Sequence, residues 1–356
     1  MNRYRVLGIL ILLLITIQGY ANNYSDCDSI TFEHFKTFYD IKEYKGDTLR
    51  MEFDQPNSFR LLDNKHFIYN DRSRSPVLLL VDLDSLNCIG YINAGFGDYE
   101  ILTVRDIQVL PDSIITVHDS YSGKLFSFNR EQPMLLKLQS INKFNKNIAF
   151  NLTKFGDNDF IYTGNNNSKY VCHIINPEGV SQSFSTIPEI PKDDNIEVYE
   201  YDIQSKVIWN NKKERLITAA LGWDIVSIYD KNLELIKRFR GPVFIDRKLR
   251  DNKGVTHVAV PDVSGLIGGI QLSDSGFTVG YGGELNKQDQ DTYYIDYIMN
   301  FDWEGNPLSY IEIPEKTLDY AYNIDSGDLL LLMESDNNKI LVHYILNTDL
   351  KLNKAS

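Results

Sequence analysis

The chain has 356 residues, 49 of them acidic and 36 basic, for a formal charge of −13 at neutral pH. So acidic a molecule is not expected to seek nucleic acid or anionic lipid, and it has no basic tract with interleaved aromatics of the nucleic-acid-binding kind. Its 3 cysteines cannot all pair within one chain, and no Cys/His spacing suits structural zinc.

The amino terminus predicts export. Arg3 and Arg5 give a basic start, Val6 to Ile17 is apolar except for Gly8 and Thr16, and Gly19-Tyr20-Ala21 supplies small residues for cleavage after Ala21. A spanning helix needs about 20 apolar residues, and Gln18, Asn22 and Asn23 end this run sooner. Residues 1–21 therefore read as a signal peptide rather than a membrane anchor, and the destination is the periplasm or the cell exterior. Removing them leaves 335 residues, and losing Arg3 and Arg5 moves the charge from −13 to −15. Lipidation at Cys27 is an alternative, although Tyr24-Ser25-Asp26 are not the small residues such a site favours. Cys88 and Cys172 fall in apolar alternations and read as buried small hydrophobes.

Residues 22–57 form an N-terminal segment with a hairpin expected around Lys45-Gly46-Asp47. One of its strands completes the last unit of the adjoining repeat, or begins a seventh. From residue 58 to 356 one hairpin pattern recurs six times: an apolar run, a polar turn, then a run that starts bulky and ends polar. The copies are FRLLDNKHFIYND (59–71), IQVLPDSIITVHD (107–119), FNLTKFGDNDFIYTG (150–164), VIWNNKKERLITAA (207–220), IQLSDSGFTVGYG (270–282) and YNIDSGDLLLLMES (322–335). Their turns hold Asp, Asn, Gly, Ser and Pro, which supply positive or fixed φ and local side-chain bonds. A second hairpin comes after each: LLLVDLDSLNCIGYI, LFSFNREQPMLLKL, CHIINPEGVSQSF, VSIYDKNLELIKRF, MNFDWEGNPLSYIEI and the weaker VHYILNTDLKLN. Four-stranded units starting roughly 40–60 residues apart are the signature of a β-propeller. The fold class is thus all-β, a six-bladed β-propeller of four-stranded antiparallel blades, with seven blades as the alternative. A lone meander cannot bury both faces, and radial stacking buries each against the next.

Between the first two units lies NAGFGDYEIL (93–102), with the spacing Gly95-x-Gly97-x-x-Glu100. A dinucleotide loop needs a helix start after its glycines. Here the next residues, ILTVRDIQVL, read as strand, so the glycines are assigned to a sharp structural turn. Such a turn after the first unit, a secretion signal and six loose repeats together resemble the TolB-like (NHL/TolB-type) six-bladed propellers secreted by Bacteroidetes bacteria. The family version often has Gly-Pro-Gly where this chain has Gly97-Asp98-Tyr99. The resemblance implies an extracytoplasmic propeller and carries no catalytic residues across.

In such meanders the second-to-third loops and the linkers between units share one face. They include the long stretches 188–205 and 241–265, and long loops on a rigid scaffold are where function concentrates. Polar groups gather on that face where second strands end: Asp71 and Arg72, His118 and Asp119, Asn165, Trp223 and Asp224, Tyr281 and Glu284, and Glu334. Ringing an opening, they could bind a ligand: a hard cation such as Ca²⁺ through carboxylates, or a sugar through Trp223 and Tyr281. No other cofactor is predicted, and which residues would hold a metal is unknown. His66, His118, His173, His257 and His343 fall at unmatched strand positions, which disfavours a three-histidine metal site, and no G-x-S-x-G elbow is present. Asn151-Leu-Thr and Asn166-Asn-Ser match the N-glycosylation pattern. The leading reading is a non-enzymatic binding or scaffold protein whose long-loop face takes a protein, peptide or glycan. The alternative is a metal-assisted propeller enzyme, lactonase- or lyase-like, with carboxylates in the channel.

Overall fold

The computed structural model describes residues 27–51, 53–144, 150–164, 170–176, 179–186, 197–198, 204–221, 224–242, 249–252, 255–258, 269–282, 294–335 and 338–346. The signal segment 1–21 and the Asn166 sequon lie outside them. Helical structure among these residues is confined to three single 3-10 turns, at Phe32–His34, Ile41–Glu43 and Pro111–Ser113, and to Leu221. Everything else regular is strand.

The N-terminal segment contributes β1 (Asp28–Ser29), β2 (Thr37–Asp40) and β3 (Asp47–Leu49). Three antiparallel meanders come next, in separate sheets. The first is β4 (Pro56–Leu61), β5 (His66–Asp71), β6 (Leu78–Asp82) and β7 (Cys88–Ile92). The second is β8 (Val104–Leu110), β9 (Ile114–Asp119), β10 (Lys124–Gln132) and β11 (Leu135–Lys143). The third is β12 (Asn151–Lys154), β13 (Phe160–Thr163), β14 (Tyr170–Asn176) and β15 (Gly179–Thr186). After β16 (Glu197–Val198) comes a fourth meander of β17 (Ser205–Asn210), β18 (Arg215–Ala220), β19 (Ile225–Tyr229) and β20 (Leu235–Arg240). Then come β21 (Leu249–Asn252), β22 (Val255–Val258), β23 (Gln271–Leu272), β24 (Gly276–Tyr281), β25 (Ile295–Asp302), β26 (Pro307–Tyr322), β27 (Asp328–Ser335) and β28 (Asn338–Ile345).

Strands β23 to β28 share one sheet, but β26 changes partner along its length. It pairs with β25 from Phe301↔Pro307 to Ile295↔Thr317 and with β27 from Thr317↔Met333 to Tyr322↔Leu329, so the two partners overlap only at Thr317. The six first hairpins and the first five second hairpins read from the sequence all form as antiparallel pairs.

Three expectations change. The hairpin at Lys45-Gly46-Asp47 does not form: β2 and β3 bond to different partners. β1 runs parallel to β20, β2 parallel to the first half of β26, and β3 antiparallel to β28. An outer strand exposes a row of unpaired N–H and C=O groups, and this strap satisfies three such edges in succession. Secondly, 188–205 and 241–265 are not irregular throughout, because β16, β22 and β21 pair into a small three-stranded sheet. Thirdly, Cys88 is exposed, since it lies on the outer strand β7, whereas Cys172 is buried in the core.

The core explains why alternation was so regular. Successive residues of one strand belong to different hydrophobic clusters. Phe67 and Tyr69 pack with Leu330, Leu332 and Leu341, while Ile68 between them packs with Val104, Ile107 and Val117. Phe160 and Tyr162 join Leu125 and Leu152, while Ile161 joins Val207 and Leu216. Leu329 and Leu331 join Ile298 and Ile311, while Leu330 and Leu332 face the other way. Each meander is thus apolar on both faces and sandwiched by its neighbours, the arrangement of a β-propeller. Truncating Leu331→Ala, fully buried, should cost about 2–5 kcal/mol in urea unfolding. Ile345→Ala, at 59% exposure, should change stability by less than about 0.5 kcal/mol.

Candidate functional site

The first strands of the meanders, with the second half of β26, touch one another in the middle of the molecule. Each presents a polar side chain there, and these side chains bond into one circuit. Gln271 on β23 donates from Nε2 to the Tyr320 carbonyl (2.7 Å) and accepts from the Tyr322 N–H (3.1 Å). Asp319 on β26 accepts from the Phe59 N–H of β4 (2.9 Å). Arg60 on β4 donates to Asp106 Oδ1 on β8 (3.1 Å) and stands 3.9 Å from Asp319 Oδ2. Asp106 Oδ2 accepts from Asn151 on β12 (2.9 Å) and from Gln108 (3.1 Å). Asn151 Oδ1 and Gln108 Nε2 then hold the N–H and C=O of Val207 on β17, at 2.9 and 2.8 Å. Lys206 Nζ closes on Asp106 Oδ1 at 3.6 Å. Room for Arg60 comes from Gly269, where a Cβ would lie 2.1 Å from Nη2.

Two cations and two carboxylates thus neutralise each other out of water. Burial by itself would raise the Asp106 carboxyl, but Lys206 and Arg60, with hydrogen bonds from Asn151 and Gln108, outweigh it and hold it at about 2. Burial wins at Asp319, which is pushed up, and at Lys206, which is pushed down. His118, at the end of β9, is driven down to about 4 by burial against the opposing pull of Asp106 and Asp119. It is neutral at physiological pH, and its Nδ1 makes no hydrogen bond. Asn151 is wholly buried in this circuit, so its sequon cannot carry a glycan in the folded chain.

Strand ends on the long-loop face use carboxylates differently. Asp119 is 0% exposed. It accepts from the N–H groups of Leu102 (2.9 Å), Thr103 (3.2 Å), Tyr121 (3.0 Å) and Ser122 (3.2 Å), and from the Ser122 hydroxyl (2.5 Å). Asp71 repeats the arrangement, accepting from the N–H groups of Asp54, Gln55 and Ser73 and the Ser73 hydroxyl. Burial opposes its ionisation, yet these hydrogen bonds win and its carboxyl is lowered. Each aspartate ties the linker entering its meander to the turn leaving the second strand.

Four members of the expected ring of ligand-binding groups are scaffold. His118, Asp119, Asp224 and Tyr281 are buried. Tyr281 packs in the core, its hydroxyl 3.4 Å from Asp224 Oδ2, so its ring is closed to a sugar. Arg72 is exposed, and Glu334 is half-buried and accepts from the Tyr294 hydroxyl at 2.7 Å. Asn165, Trp223 and Glu284 lie outside the described residues. Among those described, no group of three or more His, Cys, Asp or Glu side chains is placed to share a metal ion. Sequence reasoning missed the axial circuit because its members stand one or two to a first strand, in otherwise apolar runs. Their matched positions on first strands were the available signal.

The Gly95-x-Gly97-x-x-Glu100 segment is a closed turn. Gly95 N–H donates to the Ile101 carbonyl (3.0 Å) and Gly97 N–H to Glu100 Oε2 (2.8 Å). Gly95 has φ +154°, and a Cβ there would lie 2.1 Å from Glu100 Oε2. The anion on the glycine N–H is the chain's own glutamate, and the next element is strand β8 rather than a helix. Lys124 Nζ bonds the carbonyls of Gly97 (2.6 Å) and Glu100 (2.9 Å), fastening the turn to β10.

No protein-family model matches this chain, and no curated protein matches it significantly. Solved structures do match. A protein of Bacteroides fragilis NCTC 9343 designated as exported is 10% identical, over 87% of this chain and 99% of its own, with a TM-score of 0.54. A member of the DUF4221 family from Bacteroides vulgatus ATCC 8482 is 10% identical over 85% and 98%, with a TM-score of 0.49. Streptogramin B lyase is 8% identical over 84% and 97%, at 0.46. At these identities the likeness concerns the fold alone.

Asp119→Ala would orphan several inward-facing donors, at about 1–3 kcal/mol for each one left buried. It should lower the unfolding free energy by at least about 3 kcal/mol, read in urea unfolding. A second outcome concerns pH. His118 has a folded pKa of about 4 against an ordinary 6.5, so the unfolded chain binds the extra proton between these values. Its contribution is present above pH 6.5 and is lost as pH falls to 4, at up to about 1.4 kcal/mol per unit. Unfolding free energies measured across this range should fall less steeply in His118→Gln. Asp106, lowered from 3.8 to about 2, adds its own loss below that window in both proteins.

Proposed function

We propose that this chain is an exported, TolB-like β-propeller of six four-stranded blades that binds an extracytoplasmic partner through its long-loop face and performs no chemistry. Six blades result from counting β4–β7, β8–β11, β12–β15 and β17–β20 as one each. The sheet of β23–β28 makes two, divided within β26, with β3 as the last strand of the sixth. In this reading residues 58–356 are the propeller and residues 22–57 its strap. Export, to the periplasm or the cell exterior, is supported by the basic, apolar and small-residue order of residues 1–21 and by the exported protein that shares the fold.

The observation that carries the reading is the cancellation of charge at the axis. A propeller enzyme with channel carboxylates needs them turned toward substrate or a shared cation. Here Asp106 and Asp319 are turned toward Arg60 and Lys206, and Asp71 and Asp119 toward backbone N–H groups. What remains for a partner is the outer surface of the linkers and second-to-third turns, held rigid by those aspartates. A protein, peptide or glycan is the partner class such a surface serves.

The experiment is hydrogen exchange on the mature chain with and without cell-envelope extract. Added protection is expected in the inter-meander linkers and second-to-third turns. Protection confined to the opposite, short-turn face would sink the reading. So would turnover of a lactone or polysaccharide that Glu284→Ala abolishes without lowering thermal stability, the behaviour of a metal-assisted, lactonase- or lyase-like propeller.

A further inference from the structure

Phe96, Tyr99 and Tyr121 are 81%, 73% and 62% exposed, more than any other large apolar side chain among the described residues. Phe96 and Tyr99 sit in the turn between β7 and β8, and Tyr121 in the turn between β9 and β10, all on the long-loop face. None of the three rings stacks on another aromatic ring among the described residues. Exposed aliphatic side chains lie elsewhere: Ile89, Leu135, Leu138 and Val180 are on the outer strands β7, β11 and β15.

The mounting is rigid. Glu100 locks one turn onto the Gly97 N–H, Lys124 bonds that turn to β10 through two carbonyls, and Asp119 holds N–H groups of both turns. Rings fixed in advance lose little freedom on binding. The charges are spent as well. Lys143 pairs with Asp98 at 2.7 Å, Glu100 and Asp119 are held by N–H groups, and Lys124 by carbonyls. In a chain of formal charge −13, these two turns offer a partner aromatic faces, two phenol hydroxyls and peptide groups, and no unpaired charge.

That chemistry matches an uncharged occupant that alternates C–H with hydroxyl. The electron-rich face of an aromatic ring attracts polarised C–H groups, and the phenols add hydrogen bonds at the edge. A charged peptide would find no unpaired counter-charge in these turns, where the exposed Lys143–Asp98 pair is neutral as a whole, and a protein–protein core normally joins its aromatic anchors to contiguous apolar surface that excludes water. We infer that Phe96, Tyr99 and Tyr121 form a stacking platform for a neutral glycan. This rests on the proposed use of the long-loop face and names its ligand class.

Affinity electrophoresis of the mature chain through gels containing galactomannan, xyloglucan or amylopectin tests it. At least one polysaccharide should retard the wild-type chain. Tyr99→Ala and Tyr121→Ala should each weaken that binding about tenfold, the loss of one stacked ring at about 1.4 kcal/mol, with the thermal midpoint unchanged. Tyr99→Phe should retain most of it. Mobility unaffected by all three polysaccharides overturns the inference, as does retardation that survives in the triple variant Phe96→Ala, Tyr99→Ala, Tyr121→Ala. Envelope extract that still protects these turns from exchange while every polysaccharide fails would remove the glycan assignment and leave the binding face standing.

Discussion

The axial circuit joining Gln271, Asp319, Arg60, Asp106, Asn151 and Lys206 is the constraint on which the rest of the molecule depends. First strands meet there edge to edge with no sheet hydrogen bonds between them, so side chains must supply the connection. All but Lys206, which turns back to Asp106, bond across to the next first strand, often to its backbone. A buried ion network adds little net stability over apolar packing, yet it costs several kcal/mol when one partner is removed. Its contribution here is register. Asp319 can reach the Phe59 N–H, and Asn151 the Val207 N–H, only when neighbouring meanders stand at one height.

The same principle operates at the strand ends. Asp71 and Asp119 occupy equivalent places in the first two meanders and fold a linker and a turn onto one carboxylate. Loops of this kind normally hold their backbone groups in water. Drawing them onto a buried anion fixes their shape, and that shape is what presents Phe96, Tyr99 and Tyr121 outward. Rigidity at the axis and rigidity at the surface thus come from the same chemistry, carboxylates satisfied by their own chain.

The N-terminal strap adds a third level of closure. Residues 28–49 touch three outer edges in turn, parallel at two and antiparallel at the third. Phe32, Phe35 and Phe38 fix its course by packing against Tyr310, whose strand it joins. The first and last parts of the described chain are thereby held in one ring, and the open outer edges among the described meanders are those of β7, β11 and β15.

Hairpins were legible in the sequence because their signal is local. Alternation marks strands such as Phe67-Ile68-Tyr69, and Asp, Asn and Gly mark the turns, so the all-β character and the repeat could be read from residues close together in the chain. The Gly95–Glu100 turn was legible for the same reason: residues 101–110 beyond it alternate as a strand does. The roles of Asp119 and Tyr281 were not. Both end strands in polar company and read as surface, yet the linker and turn that Asp119 binds close over it, and Tyr281 packs in the core. The strap's partners, the exposure of Cys88 and the pairing of Arg60 with Asp106 likewise join residues far apart in sequence. By itself the sequence determined the strands, the turns and the acidic balance, which depend on neighbours a few residues apart. Only the tertiary structure decided which charges meet and which aromatic rings face water, because burial and Coulomb energy depend on distance in space.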